Sequence, residues 1–158
     1  MSCSEYIDSM KTHLEPLAIA ANIMQSAFCR LDEVLFTFGS LYLHYSHLTD
    51  PIDLDVKNAV LKSINQRWAK CDQDVFVAAA ILNPFISTSA FKTAPFLSLA
   101  GILGLMAQLH LCFFRKAAPL NILNANINDY FNNKGTFSSF PSLKDAIRLQ
   151  AAAEVSLN

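Results

Sequence analysis

The feature that most constrains the fold of this chain is a stripe of apolar side chains between residues 31 and 48 that repeats every three or four positions. This spacing places the whole stripe on one side of an amphipathic α-helix that is about five turns long. Asp32 and Glu33 lie in its first turn, where the helix dipole stabilises negative charge, and Pro51 follows its end. The stripe consists of Leu31, Val34, Leu35, Phe38, Leu41, Tyr42, Tyr45 and Leu48.

Helical spacing recurs along most of the remaining sequence, and no segment shows the alternation of apolar and polar residues that is typical of a β-strand. We therefore expect an all-α fold, an irregular bundle of about six to seven helices. A helix is expected at residues 4–30, with Pro16 as a kink or boundary. A further helix runs from Asp53 as N-cap through Trp68, with Lys57, Lys62, Gln66 and Lys70 on the solvent side, and a shorter one at 74–82 is capped by Asp72 and ended by Asn83 and Pro84. The remaining helices are expected at 96–114, 119–132 and 142–155.

Two segments are predicted to be connections. Residues 85–95 show no clear period, and residues 133–141 form a loop in which Gly135 is expected to end the preceding helix. Because 158 residues suit one domain, we expect a single helical domain or fragment over residues 1–158, with room for a loose division near 85–95.

The composition is apolar and nearly neutral in charge. Hydrophobic residues make up 53% and charged residues 16% of the chain, compared with about 25% charged in average domains. Such a chain is expected to expose apolar patches that favour self-association or a protein partner. The 12 basic and 13 acidic residues form no long block of one sign, so direct nucleic-acid binding by this chain alone is not expected.

The cysteines and the first residues of the sequence indicate an intracellular protein. Cys3, Cys29, Cys71 and Cys112 are widely spaced and form no CxxC pair, which favours reduced thiols and argues against structural zinc. The opening MSCSEYIDSM is polar and acidic, unlike a secretory signal.

The segment 96–114 has two interpretations. Its 19 residues carry no formal charge and are followed by Arg115 and Lys116. We expect a helix buried among its neighbours, because the segment is barely long enough for a membrane span and contains Gln108 and His110. The alternative is a small membrane-associated helical protein anchored by residues 96–114, with the two basic residues at the cytoplasmic face.

His44 and His47 are the side chains that come nearest to a pattern for chemistry. They are three residues apart on one helix face and are followed by Asp50, Asp53 and Asp55, so they could ligate a metal or serve as acid and base. The last turn of a helix favours histidine for structural reasons, and we expect capping and surface roles.

Other conspicuous residues also favour structural roles. Asp72 and Asp74 are expected to cap a helix, Trp68 to anchor the core, and His110 to be a hydrogen-bonded core histidine. Phosphate-binding loops and local hydrolase signatures are lacking in the sequence. Catalytic, cofactor-binding and metal-binding residues are therefore not predicted.

Residues 56–86 contain the run KNAVLKSINQRWAKCDQDVFVAAAILNPFI, which resembles a segment of the hAT family of DNA transposases. In that family a helix ending near an aromatic residue is followed by a short acidic link and an Ala-rich helix that closes on a Leu-Asp-Pro-Arg-like motif. The corresponding residues are Arg67 and Trp68, then 72–74, then 78–84. This sequence departs from the family in having Asn83 at the usual aspartate and Phe85 at the common arginine. The flanks LDEVLFTFGSLYLHYSHL and INDYFNNKGTF are also similar, so the resemblance covers about residues 25–140.

The resemblance implies a position within the family's architecture. The transposases combine a zinc-finger module, an RNase H-like core with two aspartates and one glutamate that hold divalent metal, a helical insertion in that core, and a C-terminal dimerisation region. This sequence resembles the insertion region; the aspartate-bearing strands have no counterpart here, and Glu154 is not matched to the glutamate. The resemblance therefore implies a non-catalytic remnant or fragment without metal or cofactor, with at most a role in protein association. An intracellular location is expected, and the family resemblance is compatible with the nucleus.

Overall fold

The computed structural model describes residues 3–86 and 97–156, and in these ranges the chain forms seven α-helices and no β-strand. The prediction of an all-α fold is confirmed. Two short 3-10 turns lie at Pro51–Asp53 and Gly135–Phe137. The helices are α1 (Cys3–Met24), α2 (Leu31–Ser46), α3 (Leu54–Trp68), α4 (Gln73–Leu82), α5 (Leu99–Phe114), α6 (Leu120–Phe131) and α7 (Phe140–Ser156).

The chain divides into two compact units, Met1–Ala80 and Ile81–Asn158, which we call unit 1 and unit 2. The change of unit falls near the end of α4. The connection expected at 85–95 lies almost wholly outside the described residues, which stop at Ile86 and resume at residue 97.

In unit 1, α2 packs against both α1 and α3. The apolar stripe of α2 supplies two of the four residues at the centre, Leu41 and Tyr45, which are buried with Ala20 of α1 and Ile64 of α3. The ring of Trp68 lies between two phenylalanine rings, with centroids at 5.7 Å from Phe38 and 5.8 Å from Phe76. Trp68 is half-buried, so it serves as an anchor at the edge of the core.

Helix α1 runs through Pro16 without a boundary. Its end and the start of α2 are joined by a short turn in which Phe28 is almost fully exposed. At the start of α2 the backbone N–H of Arg30 donates a hydrogen bond to the side-chain carboxylate of Glu33 at 3.0 Å, while the Arg30 guanidinium binds the buried carboxylate of Asp32. These bonds stabilise the negative charges of Asp32 and Glu33 in the first turn of α2.

Asp53 is the N-cap residue of α3, as predicted, but its side chain makes no capping hydrogen bond. Its carboxylate instead lies 3.0 Å from Nε2 of His13 in α1. Asp50 caps the preceding 3-10 turn, because its carboxylate accepts a hydrogen bond from the N–H of Ile52 at 3.0 Å.

Lys57 was expected on the solvent side of α3 and is half-buried instead. Its ammonium group donates to the carbonyl of Ser46 at 2.9 Å and to that of Leu48 at 2.8 Å. These are carbonyls at the C-terminal end of α2, where cations are favoured by the helix dipole and the last carbonyls lack helical partners.

In unit 2, α5 packs against α6, and the buried side chains are Ile81, Ile102, Leu109 and Ile127. Helix α5 has 16 residues, fewer than the 19 of the apolar segment, because its ends are capped. The Ser98 hydroxyl accepts from the N–H of Gly101 at 3.2 Å, and Arg115, at a φ of 56°, ends the helix. Within the described ranges, no helix combines the length and the apolar character needed to cross a membrane.

The end of α6 also corrects a prediction. The left-handed residue that ends the helix is Asn133, at a φ of 51°, whereas Gly135 was expected there. The N–H of Lys134 donates to the carbonyl of Asp129 at 2.8 Å, and the N–H of Asn133 donates to that of Tyr130 at 3.3 Å. This pair of bonds is a Schellman motif. Gly135, at a φ of 55°, opens the 3-10 turn that follows.

Helix α7 begins at Phe140, two residues before the predicted start. Pro141 therefore lies in the first turn, where its missing N–H breaks no helical hydrogen bond, rather than in the loop. The loop before α7 brings three aromatic rings together, with Tyr130 at 5.3 Å from Phe137 and 5.9 Å from Phe140.

Candidate functional site

A groove runs between α1 and α2 on the outside of unit 1, and we call it the α1/α2 groove. Its main cavity has a volume of about 570 Å³. The floor consists of buried residues, Ala20, Thr37 and Leu41, which are at most 8% exposed. A second cavity of about 570 Å³ adjoins it and shares Ile23, Phe36 and Thr37 with it, so the groove continues towards the C-terminal end of α1.

The walls of the α1/α2 groove are large apolar side chains that water still reaches. Ile19 is 54% exposed, Ile23 is 40% exposed and Phe36 is 45% exposed. Ile19 and Ile23 are four residues apart on α1 and therefore share one face of that helix. The groove thus has a closed floor of small or medium side chains between two apolar ridges.

Polar side chains lie at both ends of the α1/α2 groove. Glu15 and His44 flank the main cavity, while Asn22, Ser26 and Glu33 line the adjoining one. An apolar centre with a polar border is the arrangement found in many protein interfaces.

The local sequence explains why α1 and α2 leave this groove. Ala20 on α1 and Thr37 and Ser40 on α2 are short side chains, so they do not fill the space between the two helices. The Thr37 hydroxyl donates to the carbonyl of Glu33 at 2.7 Å, so the buried hydroxyl is satisfied within its own helix.

A smaller cavity of about 320 Å³, the α2/α3 groove, lies on the other side of α2. Gly39 lies in its lining, and a Cβ atom added at Gly39 would meet nothing within 4 Å. Trp68 and Tyr42 border the cavity with aliphatic neighbours. Helix α2 therefore has an apolar depression on each of two sides.

A polar cluster joins three helices of unit 1, α1, α2 and α3. The hydroxyl of the fully buried Tyr45 donates to the backbone carbonyl of His13, and burial raises the pKa of Tyr45 above its ordinary value. Nε2 of His13 lies 3.0 Å from the Asp53 carboxylate, while Nδ1 is buried without a hydrogen-bond partner. The cluster connects α1 with α2 and with the start of α3, which assigns it a structural role.

The predicted histidine pair has local contacts in the structure. His44 is exposed at the end of the α1/α2 groove, with its ring edge-on to Tyr45 at 5.1 Å. Nδ1 of His47 lies 2.7 Å from the carbonyl of Leu43 in the last turn of α2. Among the side chains that the structure describes, no three of His, Cys, Asp or Glu come together in a way that could hold a metal ion.

The other residues that the sequence analysis considered have local roles. Helix α4 begins at Gln73, directly after Asp72, with Asp74 in its first turn. His110 is half-buried, with Nδ1 at 3.2 Å from the carbonyl of Lys116. Cys29, Cys71 and Cys112 are free thiols, and Cys112 is exposed.

Comparison with known proteins gives no relative to guide the reading of these sites. No protein-family model matches the chain, and neither a curated protein nor a solved structure matches it.

Proposed function

We propose that this chain is a non-catalytic helical domain that acts in protein association, with an origin in the helical insertion region of a hAT-type transposase. The observation that carries the proposal is the α1/α2 groove. An apolar groove with exposed walls and a polar border is suited to receive a helix or a matching apolar face.

The partner that this surface fits best is a second copy of the same chain. In a two-fold interface the same patch on both subunits must complement itself. The α1/α2 groove meets this need because it has ridges, made by Ile19, Ile23 and Phe36, beside a floor of shorter side chains. The ridge of one copy can enter the depression of the other and remove both sets of side chains from water, which contributes about 25 cal/mol per Å² of apolar surface.

The family origin is supported by the order of elements in residues 56–86. Helix α3 ends at Trp68, a short link follows, and α4 runs from Gln73 to Leu82 before Asn83 and Pro84. A helix, a link and an Ala-rich helix closing on a proline is the order of the hAT segment that the sequence resembles. A nuclear location would follow from the same origin.

The absence of catalysis rests on the missing counterparts of the transposase carboxylates. Metal-assisted attack on a phosphodiester needs several carboxylates around two divalent ions. The sequence offers no match for the aspartate-bearing strands of that family. Incubation of the purified chain with supercoiled DNA and Mg²⁺ or Mn²⁺ should leave the DNA intact, and nicking that co-purifies with the chain would contradict the proposal.

Self-association is tested by sedimentation velocity over a range of protein concentrations. The unaltered chain should shift from monomer to dimer as its concentration rises. Phe36→Glu and Ile23→Glu should each weaken the dimer by at least about tenfold, because a carboxylate would be buried without a partner. Phe113→Glu is the matched control, because Phe113 is 69% exposed and lies in unit 2.

The outcomes separate three cases. A chain that remains monomeric at every soluble concentration overturns self-association. Equal weakening by Phe36→Glu and Phe113→Glu indicates unspecific apolar contact and overturns the assignment to the α1/α2 groove. Co-flotation of the chain with phospholipid vesicles that Phe113→Glu abolishes, and Phe36→Glu does not, would favour the alternative of a membrane-associated helical protein anchored by residues 96–114.

A further inference from the structure

Unit 2 contains a pocket that the proposed association does not use, and we call it the unit 2 pocket. Its volume is about 280 Å³. One wall is the turn after α4, residues 83–86; a second is the end of α6; and the third is the first part of α7. Ligand-binding cavities are commonly about 300–1,000 Å³, so this pocket suits a small ligand.

Aromatic side chains form part of the lining of the unit 2 pocket. Tyr130 and Phe140 are both half-buried and lie edge to face at 5.9 Å, and Phe131 lies 5.4 Å from Tyr130. The Tyr130 hydroxyl points to the carbonyl of Ile81 at 3.4 Å, and burial raises its pKa. Aromatic side chains in the lining of a pocket favour a flat apolar group.

Two cations line the same pocket on α7. Phe140, Lys144 and Arg148 follow at intervals of four residues, so all three lie on one face of the helix. Lys144 is half-buried. Neither Lys144 nor Arg148 forms an ion pair with any residue in the described part of the chain.

Lys144 and Arg148 are like charges four residues apart on one helix, so they repel each other and destabilise the helix. The acidic residue between them, Asp145, is exposed and is not among the lining residues. An anion placed between Lys144 and Arg148 would relieve this repulsion and accept charge-assisted hydrogen bonds from both. The side chain of Asn133 also lines the pocket.

We propose that the unit 2 pocket binds a small organic anion, an aromatic ring that carries one carboxylate or phosphate group. The ring lies against Tyr130, Phe131 and Phe140, and the anionic group lies between Lys144 and Arg148. This site lies within unit 2 and does not depend on the α1/α2 groove. Carboxylate and phosphate are both anions that two cations can bind. Separate carboxylate and phosphate ligands in the test distinguish between them.

The test uses the full chain labelled with ¹⁵N and three ligands of similar size: benzoate, phenyl phosphate and the neutral benzamide. At least one of the two anions should shift the amide signals of Tyr130 and Lys144 in a saturable way. Benzamide should bind about tenfold more weakly than that anion, since it keeps the ring and loses the charge. Added salt should weaken anion binding and leave benzamide unaffected.

Two variants test whether the anion binds beside α7. Lys144→Gln should weaken anion binding about tenfold, and Arg148→Gln, which is more exposed, about threefold. Lys116→Gln is the matched control, because Lys116 lies in unit 2 outside the pocket lining. Both α7 variants should keep the unliganded amide spectrum outside α7, which shows that the fold is intact.

Some outcomes would overturn the proposal. Equal binding of benzoate, phenyl phosphate and benzamide would mean an apolar cavity without anion recognition. A lack of saturable shifts in unit 2, or the same loss of affinity for Lys116→Gln as for Lys144→Gln, would also overturn it. If Lys144→Gln altered the fold, Arg148→Gln and the salt dependence would still decide the question.

Discussion

The two units of this chain hold their helices together in different ways. In unit 1 directional polar contacts cross between helices: Tyr45 to His13, His13 to Asp53, and Lys57 to the end of α2. In the described part of unit 2, aromatic rings dominate, and the Tyr130 hydroxyl bond to Ile81 is long at 3.4 Å. Directional bonds fix the relative position of helices, whereas apolar packing contributes mainly through the area removed from water.

The difference can be measured because the two units have separate spectroscopic reporters. Trp68 is the only tryptophan of the chain and lies in unit 1, so its fluorescence follows the unfolding of that unit alone. Resolved amide signals of α6 and α7 follow unit 2. Each of the following substitutions can therefore be assigned to one unit.

The largest expected effect is that of Tyr45→Ala. Removal of a fully buried aromatic side chain should lower the free energy of unfolding of unit 1 by about 3–5 kcal/mol, as large-to-small changes in cores do. Tyr130→Ala, at a half-buried position, should have a smaller effect on unit 2. Urea unfolding followed by Trp68 fluorescence and by amide signals measures both. Equal losses in the two units would break the comparison between them.

The pH dependence of unit 1 should follow Tyr45. Burial raises its pKa above the ordinary value of 10.0, so the unfolded chain loses the phenol proton at a lower pH than the folded chain. Stability is then fully present below pH 10 and falls as the pH rises through the raised pKa of the folded state. Urea unfolding at increasing pH, followed by Trp68 fluorescence, should show this fall. Tyr45→Phe should reduce it, whereas Tyr42→Phe, at an exposed position, should leave it unchanged.

Removal of the Lys57 ammonium group should have a moderate effect. Lys57→Met keeps most of the apolar stem and removes two hydrogen bonds to carbonyls of residues 46 and 48, so unit 1 should lose about 1–2 kcal/mol of stability. Lys62→Met, at an exposed position of the same helix, is the control and should change stability by less than about 0.5 kcal/mol. A similar loss for both variants would show that the Lys57 bonds contribute nothing beyond charge.

The smallest effect, and a stabilising one, is expected for Gly39→Ala. Alanine at this helix-interior position meets nothing within 4 Å and should raise the stability of unit 1 by about 0.5–1 kcal/mol. Gly104→Ala in α5 is the equivalent change in unit 2, since an added Cβ there also meets nothing within 4 Å. Similar gains in the two units would show that helix propensity acts alike in both, although their packing differs. A loss at Gly39 would contradict the open space in the α2/α3 groove.

The sequence predicted well the parts of the fold that depend on nearby residues. The stripe of α2 has a period of three and four over many residues, and Asn83 with Pro84 forbids a further helical turn, so the bounds of α2 and α4 lie close to their predicted positions. At the end of α6, two residues suited to the left-handed conformation stand near each other. The preference for glycine at the residue that ends a helix predicted Gly135, but the hydrogen bonds of the Schellman motif place Asn133 in that position.

The remaining features depend on contacts between residues far apart in the sequence. The α1/α2 groove exists because short side chains on two helices meet, and spacing within one helix does not reveal which short side chains will be opposed. Asp53 has the same local signature as an N-cap, yet its carboxylate is used by His13, forty positions earlier. The unit 2 pocket likewise combines residues near 83, 131 and 144.

The polar cluster at His13 also decides which of several packings α1 adopts. Apolar side chains are exposed on several sides of α1. A slide of α1 by one helical turn, or a rotation about its axis, would therefore exchange one apolar contact for another at little cost in free energy. His13 contacts Tyr45 through its carbonyl and Asp53 through its ring, and a slipped helix would lose both contacts at once. Loss of partners for buried polar groups costs about 1–3 kcal/mol for each group. One residue thus disfavours a change of register in a 22-residue helix, because polar contacts need one arrangement whereas apolar burial tolerates several.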